Sequence, residues 1–154
     1  MRDAYQQLGY VTNDFDRALA LFADFHGVPS FKQMRDLTIG ARIGQSVTAH
    51  FALAFKDSTQ IELIQPVAGD TTFYSDILPE ADFAVRFHHL GRYYPDPADY
   101  AAAKARLAAR WALPIDLAIF DGAYAYFDAR PVLGHYQELY TFPPETHFDG
   151  VPWH

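Results

Sequence analysis

The chain has 154 residues, half of them hydrophobic and 20% charged, with no cysteine and with 12 basic against 19 acidic residues, a formal charge of −7. That is the composition of a folded domain long enough to bury a core, and it excludes disulfides, thiolate metal ligands and a cysteine nucleophile. The negative balance is the wrong sign for a general phosphate-backbone binder. The first residues lack a basic segment leading into an apolar run, and no uncharged stretch approaches ~20 residues. Neither a nucleic-acid nor a membrane partner is expected, and the protein reads as soluble and cytoplasmic.

In chain order, residues 5–11 predict a strand and 16–26 a helix, with Asp14 or Asp16 as N-cap and Gly27 and Pro29 beyond its end. Four β-like runs follow at 30–37, 40–45, 47–57 and 59–66, separated by turn signals at Gly40, Gly44 and 56–58. Residues 67–82 read as a connector. Then come a strand at 82–94, a helix at 98–111 behind Pro95 and Pro97, and strands at 113–120, 123–128 and 135–142. Residues 144–154, rich in Pro and Gly, read as an extended tail that folds back over the mouth of the cupped sheet through Phe148 and Trp153, with a disordered tail as the alternative.

The chain also repeats itself. QLGYVTND at 7–14 matches HLGRYYPD at 89–96, with Leu, Gly and Asp in register, at an offset of 82 (89 − 7), and each copy leads into an Ala/Leu-rich helix. IELIQP at 61–66 likewise resembles QELYTFP at 137–143. The whole is therefore an α+β fold: two βαβββ modules (1–66 and 83–143) in one domain over 1–154, forming a mostly antiparallel eight-stranded sheet with helices outside.

The repeat puts Gln7 and His89 at equivalent positions on the first strands and Glu62 and Glu138 on the last. Only four acidic residues are Glu, and two of them hold these matched positions. A Glu in an apolar strand is costly to bury unless paired, protonated or metal-bound. Oxygen and imidazole donors converging from separate elements suit hard or borderline cations. Each position also has a plainer reading as a strand-edge polar residue. His88 and His89, as strand neighbours, are expected to face opposite ways, and His89 is preferred for its register with Gln7. His50 reads as a hydrogen-bonded structural histidine, His26 as a helix-end histidine, and His135, of opposite parity to Glu138, should point away.

On the xxLGYVxxDxDxAL opening, the second HLG strand and the terminal QELY, the chain resembles the vicinal oxygen chelate superfamily, which includes glyoxalase I, methylmalonyl-CoA epimerase, extradiol dioxygenases and bleomycin-resistance proteins. The resemblance implies a cupped sheet around a divalent metal held by Gln7, Glu62, His89 and Glu138. That ligand order is similar to zinc-type glyoxalase I, so zinc is the expected ion, with nickel, cobalt or manganese as alternatives. The implied chemistry is that of a metal-dependent lyase, isomerase or epimerase. A metal chelating two neighbouring substrate oxygens acidifies the adjacent C–H; Glu138 would take the proton, Glu62 would return it, and an enediolate-type intermediate would lie between. The alternatives are a non-catalytic binding or resistance protein for an apolar aromatic ligand, and a ring-cleaving dioxygenase. With 13 Phe, 10 Tyr and 2 Trp, the expected small-molecule substrate is apolar or thioester-like. An acyl-CoA would need a cationic rim, for which Arg42, Arg86, Arg92 and Arg130 are the candidates. A homodimer is compatible with the resemblance.

Overall fold

Asp14 opens helix α1 (Phe15–His26) by accepting a hydrogen bond from the Arg17 amide, and Gly27, at φ 63°, closes it with its own N–H on the Phe22 carbonyl. Only a residue free of a Cβ takes that left-handed turn readily. Asp96 caps helix α3 (Pro97–Ala108) through the amides of Ala98 and Asp99, with Pro97 in the first turn, where its missing N–H has no intrahelical partner to lose. The structure, a computed structural model, describes residues 6–40, 44–119, 122–143 and 149–154.

The remaining elements are β1 (Gln6–Thr12), β2 (Lys32–Gly40), β3 (Ser46–Lys56), β4 (Thr59–Gly69), a short helix α2 (Thr72–Ser75), β5 (Val85–Tyr93), β6 (Ile115–Ile119), β7 (Gly122–Phe127), a single turn α4 (Arg130–Leu133) and β8 (Tyr136–Tyr140). All eight strands join in one sheet ordered β2-β3-β4-β1-β5-β8-β7-β6. β1 runs parallel to β4 and β5 parallel to β8, while the other pairs are antiparallel. The sheet is thus mixed, and each half follows the order strand, helix, three strands.

Two differences from the sequence reading stand out. The run expected at 30–37 continues to Gly40 as β2, which absorbs an irregularity between Met34 and Leu37 with Asp36 at φ 53°, while residues 41–43 of the run expected at 40–45 lie outside the described residues. Gly40 ends that strand instead of making a turn. The connector also holds α2, whose Phe73 and Tyr74 are buried.

The two faces of the sheet differ in what they bury. On the convex side α1 presents Phe15, Ala18 and Phe22 to Ala52, Ala54, Ile61 and Leu63, the small β3 alanines letting the helix come close. There α3 packs Tyr100 and Ala103 on Ala125, Phe127 and Leu139. The concave side gathers Val47, Phe51 and Ile64 from one half with Tyr124, Tyr126, Tyr136 and Tyr140 from the other into one cluster. Strands from opposite ends of the sheet meet there, because the Tyr124 hydroxyl donates to the Gly40 carbonyl at 3.3 Å. The right-handed twist common to strands has curled the sheet into a cup. The C-terminal residues lie along β3: the Phe55 N–H donates to Pro152 O, His154 N–H returns to Phe55 O, and the Trp153 ring stacks on Phe55 at 4.0 Å. Among the described residues no helix is long and apolar enough to cross a membrane.

Phe22 carries the α1 contact on the first half, so Phe22→Ala is expected to cost about 3–5 kcal/mol of stability, measured by urea unfolding.

Candidate functional site

The middle four strands, β4, β1, β5 and β8, each bring one of the expected side chains to the concave face. Glu62 lies in register with Gly9, which faces His89; Glu138 lies in register with Gly91, which faces Gln7. The two rows are related by the internal repeat, and each has a glycine between its two polar residues. That glycine is what admits the side chains. A Cβ on Gly9 would stand 1.9 Å from His89 Cε1, and one on Gly91 would stand 2.8 Å from Gln7 Oε1 and 2.9 Å from Glu138 Oε2.

All four side chains meet at one atom. His89 Nε2 lies 3.2 Å from Glu62 Oε2, 3.5 Å from Glu138 Oε2 and 3.2 Å from Gln7 Oε1. The Gln7 amide donates to Gln60 Oε1 at 2.8 Å, which turns its oxygen toward His89. His89 is fully buried, and burial alone would strip its proton; the hydrogen bond to Glu62 and the charges of Glu138 and Glu62 outweigh that, so its pKa is raised. Burial pushes the Glu138 carboxyl up to about 7, with the charge of His89 pulling the other way and that of Glu62 adding to the rise. Glu138 Oε2 is buried without a hydrogen-bond partner among the described residues.

Such an orphaned carboxylate oxygen beside a second carboxylate is an acceptor in want of a cation. No group of three or more His, Asp and Glu among the described residues is already spread into a cation cage; the oxygens are drawn in on the imidazole instead. The donor set nevertheless fits a divalent ion. Ligand atoms about 2.1 Å from a shared centre stand roughly 3.0–3.4 Å apart, close to the 3.2, 3.2 and 3.5 Å found around His89 Nε2. Two carboxylates, one amide oxygen and one imidazole would balance a charge of +2.

Sequence reasoning missed four participants. His88 does not face away from His89: β1 pairs Gly9 with His89 and Tyr10 with Phe87, so His88 is an extra residue in β5. A bulge of this kind re-aims side chains. Here it puts both imidazoles in the interior, with their Nδ1 atoms 3.0 Å apart. Nothing in the residue pattern marks such a bulge. Gln60 shares the face of Glu62 and could have been found by parity alone. Gly9 and Gly91 were visible in the repeated Leu-Gly and lacked only a role. The other histidines sit elsewhere: His50 accepts from the Asp36 N–H at 3.1 Å beside Phe15, and His135 packs edge-on against Phe87.

Gln7, Glu62 and Glu138 open onto a hollow of about 100 Å³, whose other walls include Met34, Leu37, Phe51, Tyr124 and Phe142. No Lys or Arg lies among its described lining residues. Of the rim candidates, none of the described arginines lines this hollow. Arg130 is engaged by Asp128 and Asp76 and lies over Tyr136, Arg92 lies over Tyr94 and lines a separate cavity with Leu107 and Trp111, and the exposed Arg86 reaches the Val85 carbonyl. Arg42 and Phe148 fall outside the described residues.

The family described as Glyoxalase/Bleomycin resistance protein/Dioxygenase superfamily matches residues 6–127. Among solved structures, the chain is similar to a methylmalonyl-CoA epimerase in complex with methylmalonyl-CoA and ammonium, at 15% identity over 92% of this chain and 95% of that one, TM-score 0.58. It is also similar to a substituted Streptomyces coelicolor methylmalonyl-CoA epimerase in complex with 2-nitronate-propionyl-CoA, at 15% identity over 90% of this chain and 96% of that one, TM-score 0.57. The Mycobacterium tuberculosis methylmalonyl-CoA epimerase matches at 15% identity over 92% and 88%, TM-score 0.56. At this identity the likeness is one of fold. No curated protein matches the sequence.

Because a Cβ at Gly9 has no room beside the His89 ring, Gly9→Ala is expected to lower stability by about 1–3 kcal/mol and to displace His89. Denaturant unfolding and the His89 ring resonances check the two effects together.

Proposed function

The chain belongs to the glyoxalase/bleomycin resistance protein/dioxygenase superfamily, and we propose that within it this protein is a metal-dependent isomerase, epimerase or lyase that moves a proton at a carbon next to two neighbouring substrate oxygens. The observation that carries this reading is the convergence of Gln7, Glu62 and Glu138 oxygens on His89 Nε2, in a buried place that leaves Glu138 Oε2 without a donor.

Gln7, Glu62, His89 and Glu138 would hold the ion, with zinc the first to test and nickel, cobalt or manganese next. When bound, the ion supplies Lewis acidity that steadies negative charge developing on the substrate oxygens. The chain's own residues do the rest. Glu138 is the base. Its carboxyl is buried within reach of the centre, and general base catalysis of this kind is worth ~10²–10⁴ in rate. Glu62 approaches His89 from a strand on the other side of β1 and β5. It is the counterpart that returns a proton to the enediolate-type intermediate, at the neighbouring carbon or on the opposite face. Gln7, fixed by Gln60, contributes a neutral oxygen, so the two carboxylates alone set the negative charge of the site.

The hollow beside these residues is aromatic and aliphatic, with no cation among its described lining. It favours a substrate whose body is apolar and uncharged, with its polarity confined to the paired oxygens. An acyl thioester offers such a head group, and the structurally similar epimerases bind acyl-CoA compounds. A small apolar dicarbonyl or hydroxy ketone offers it as well.

Proton exchange in deuterated water against 2-oxo thioesters, hydroxy ketones and hemithioacetals, with zinc content measured in parallel, tests the assignment. Substrate-dependent exchange that needs about one divalent ion per chain is expected; ligand binding without ion or exchange would make the protein a binder of the same fold. Glu138→Gln should lower turnover ~10²–10⁴-fold while substrate still binds, and His89→Ala should lose the ion. A Glu138→Gln variant as active as the parent would sink the assigned base.

A further inference from the structure

We infer that His88 is a positioning residue: it accepts a hydrogen bond from His89 Nδ1–H, so that His89 Nε2 is the nitrogen turned to the centre of the site. The inference rests on the reading of the preceding subsection for its consequence, but its geometry stands on its own. His88 Nε2 lies 2.9 Å from the Phe73 carbonyl oxygen, which can only accept, so Nε2 carries the His88 proton. His88 sits among the rings of Phe73, Tyr74 and Tyr136 and is almost wholly buried. A second proton on His88 would place a charge among those rings, which burial disfavours.

A neutral imidazole with Nε2–H has a bare Nδ1. That Nδ1 stands 3.0 Å from His89 Nδ1, and a hydrogen bond there requires the proton to be on His89. The chain of bonds therefore runs in one direction, from His89 Nδ1–H to His88 Nδ1 and from His88 Nε2–H to Phe73 O. Metal-binding histidines usually have their second ring nitrogen held by an acceptor, which sets the tautomer and the ring plane. Here a neutral histidine fills that place, brought there by the bulge in β5, and its anchor is a carbonyl of α2 in the segment joining the two halves.

The arrangement also explains why the bulge falls where it does. With regular alternation His88 would face the convex side and His89 Nδ1 would lie in an apolar interior without an acceptor. Gln60 does for Gln7 what His88 does for His89, since each fixes which atom of its neighbour's side chain faces the centre.

The test uses the full chain. In ¹⁵N-labelled protein without added metal, the expected result is a proton on His89 Nδ1 and on His88 Nε2, with scalar coupling across the Nδ1–H···Nδ1 bond. A bare His89 Nδ1, or a proton on His88 Nδ1, overturns the inference. The second arm titrates Zn²⁺ against a competing chelator. His88→Phe keeps a ring but no acceptor and should raise the dissociation constant about 10–100-fold. His88→Gln, whose amide can accept from His89 and donate to Phe73, should restore it to within a few fold. Wild-type affinity in folded His88→Phe overturns the inference, and should that variant not fold, the ¹⁵N measurement on the parent protein decides. A parent protein that binds no Zn²⁺ defeats the metal-site reading, whereas the direction of the His89–His88 bond is still read from the nitrogen spectrum.

Discussion

Burying Glu62 and Glu138 within reach of each other costs solvation and repulsion, and the fold meets that cost at a single atom, His89 Nε2, which faces both. This one meeting point constrains much of the architecture. The carboxylates come from β4 and β8, the outer pair of four adjacent strands, and the imidazole and amide come from β5 and β1 between them. Their side chains reach a common centre only because the intervening positions, Gly9 and Gly91, have no Cβ in the way. The same pairing that makes the antiparallel β1–β5 contact sets each glycine opposite the other strand's polar residue.

Around this polar point the walls are largely aromatic and aliphatic, and that contrast gives the site its chemical character. Tyr74 and Tyr126 are buried against the acidic pair, and burial together with those negative charges raises their pKa values well above the ordinary phenol range, so their hydroxyls stay protonated. In so dry a setting each charge interacts more strongly than it would in water, which is why the Glu138 carboxyl is driven upward even with an imidazole at hand. The aromatic wall that desolvates the carboxylates also lines the hollow beside them. One set of residues thus both desolvates the carboxylates and walls the hollow.

The convex side performs a different task. Helices α1 and α3 each lay an apolar stripe on one half of the sheet, and among the described residues the short α2 is the helix that packs into the concave side. The connector enters the interior there through Phe73 and Tyr74. It ties the two halves together at the site itself, because the Phe73 carbonyl holds His88. The segment that looks least structured in the sequence therefore supports the most constrained side chains.

Several features were legible in the sequence because they depend on local rules. Asp14, Gly27, Asp96 and Pro97 announce the two helices through capping chemistry that needs no tertiary partner. The repeated LG and EL motifs announce two like halves, and with them the pairing of Gln7 with His89 and of Glu62 with Glu138. The paired face of His88 was misread, since strand alternation holds only while the ladder is regular and the bulge is set by how β1 and β5 settle against each other. The surroundings of the candidate arginines were not legible because charge counts carry no direction: Arg130 is paired with Asp76, remote in sequence, and with Asp128, two residues before it. The amino-acid sequence by itself determined the modules, their helices and which polar side chains share a position in each half. The tertiary structure alone decided that these side chains meet at one buried atom, because that distance depends on sheet curvature, a bulge and two missing Cβ atoms acting across strands remote in sequence.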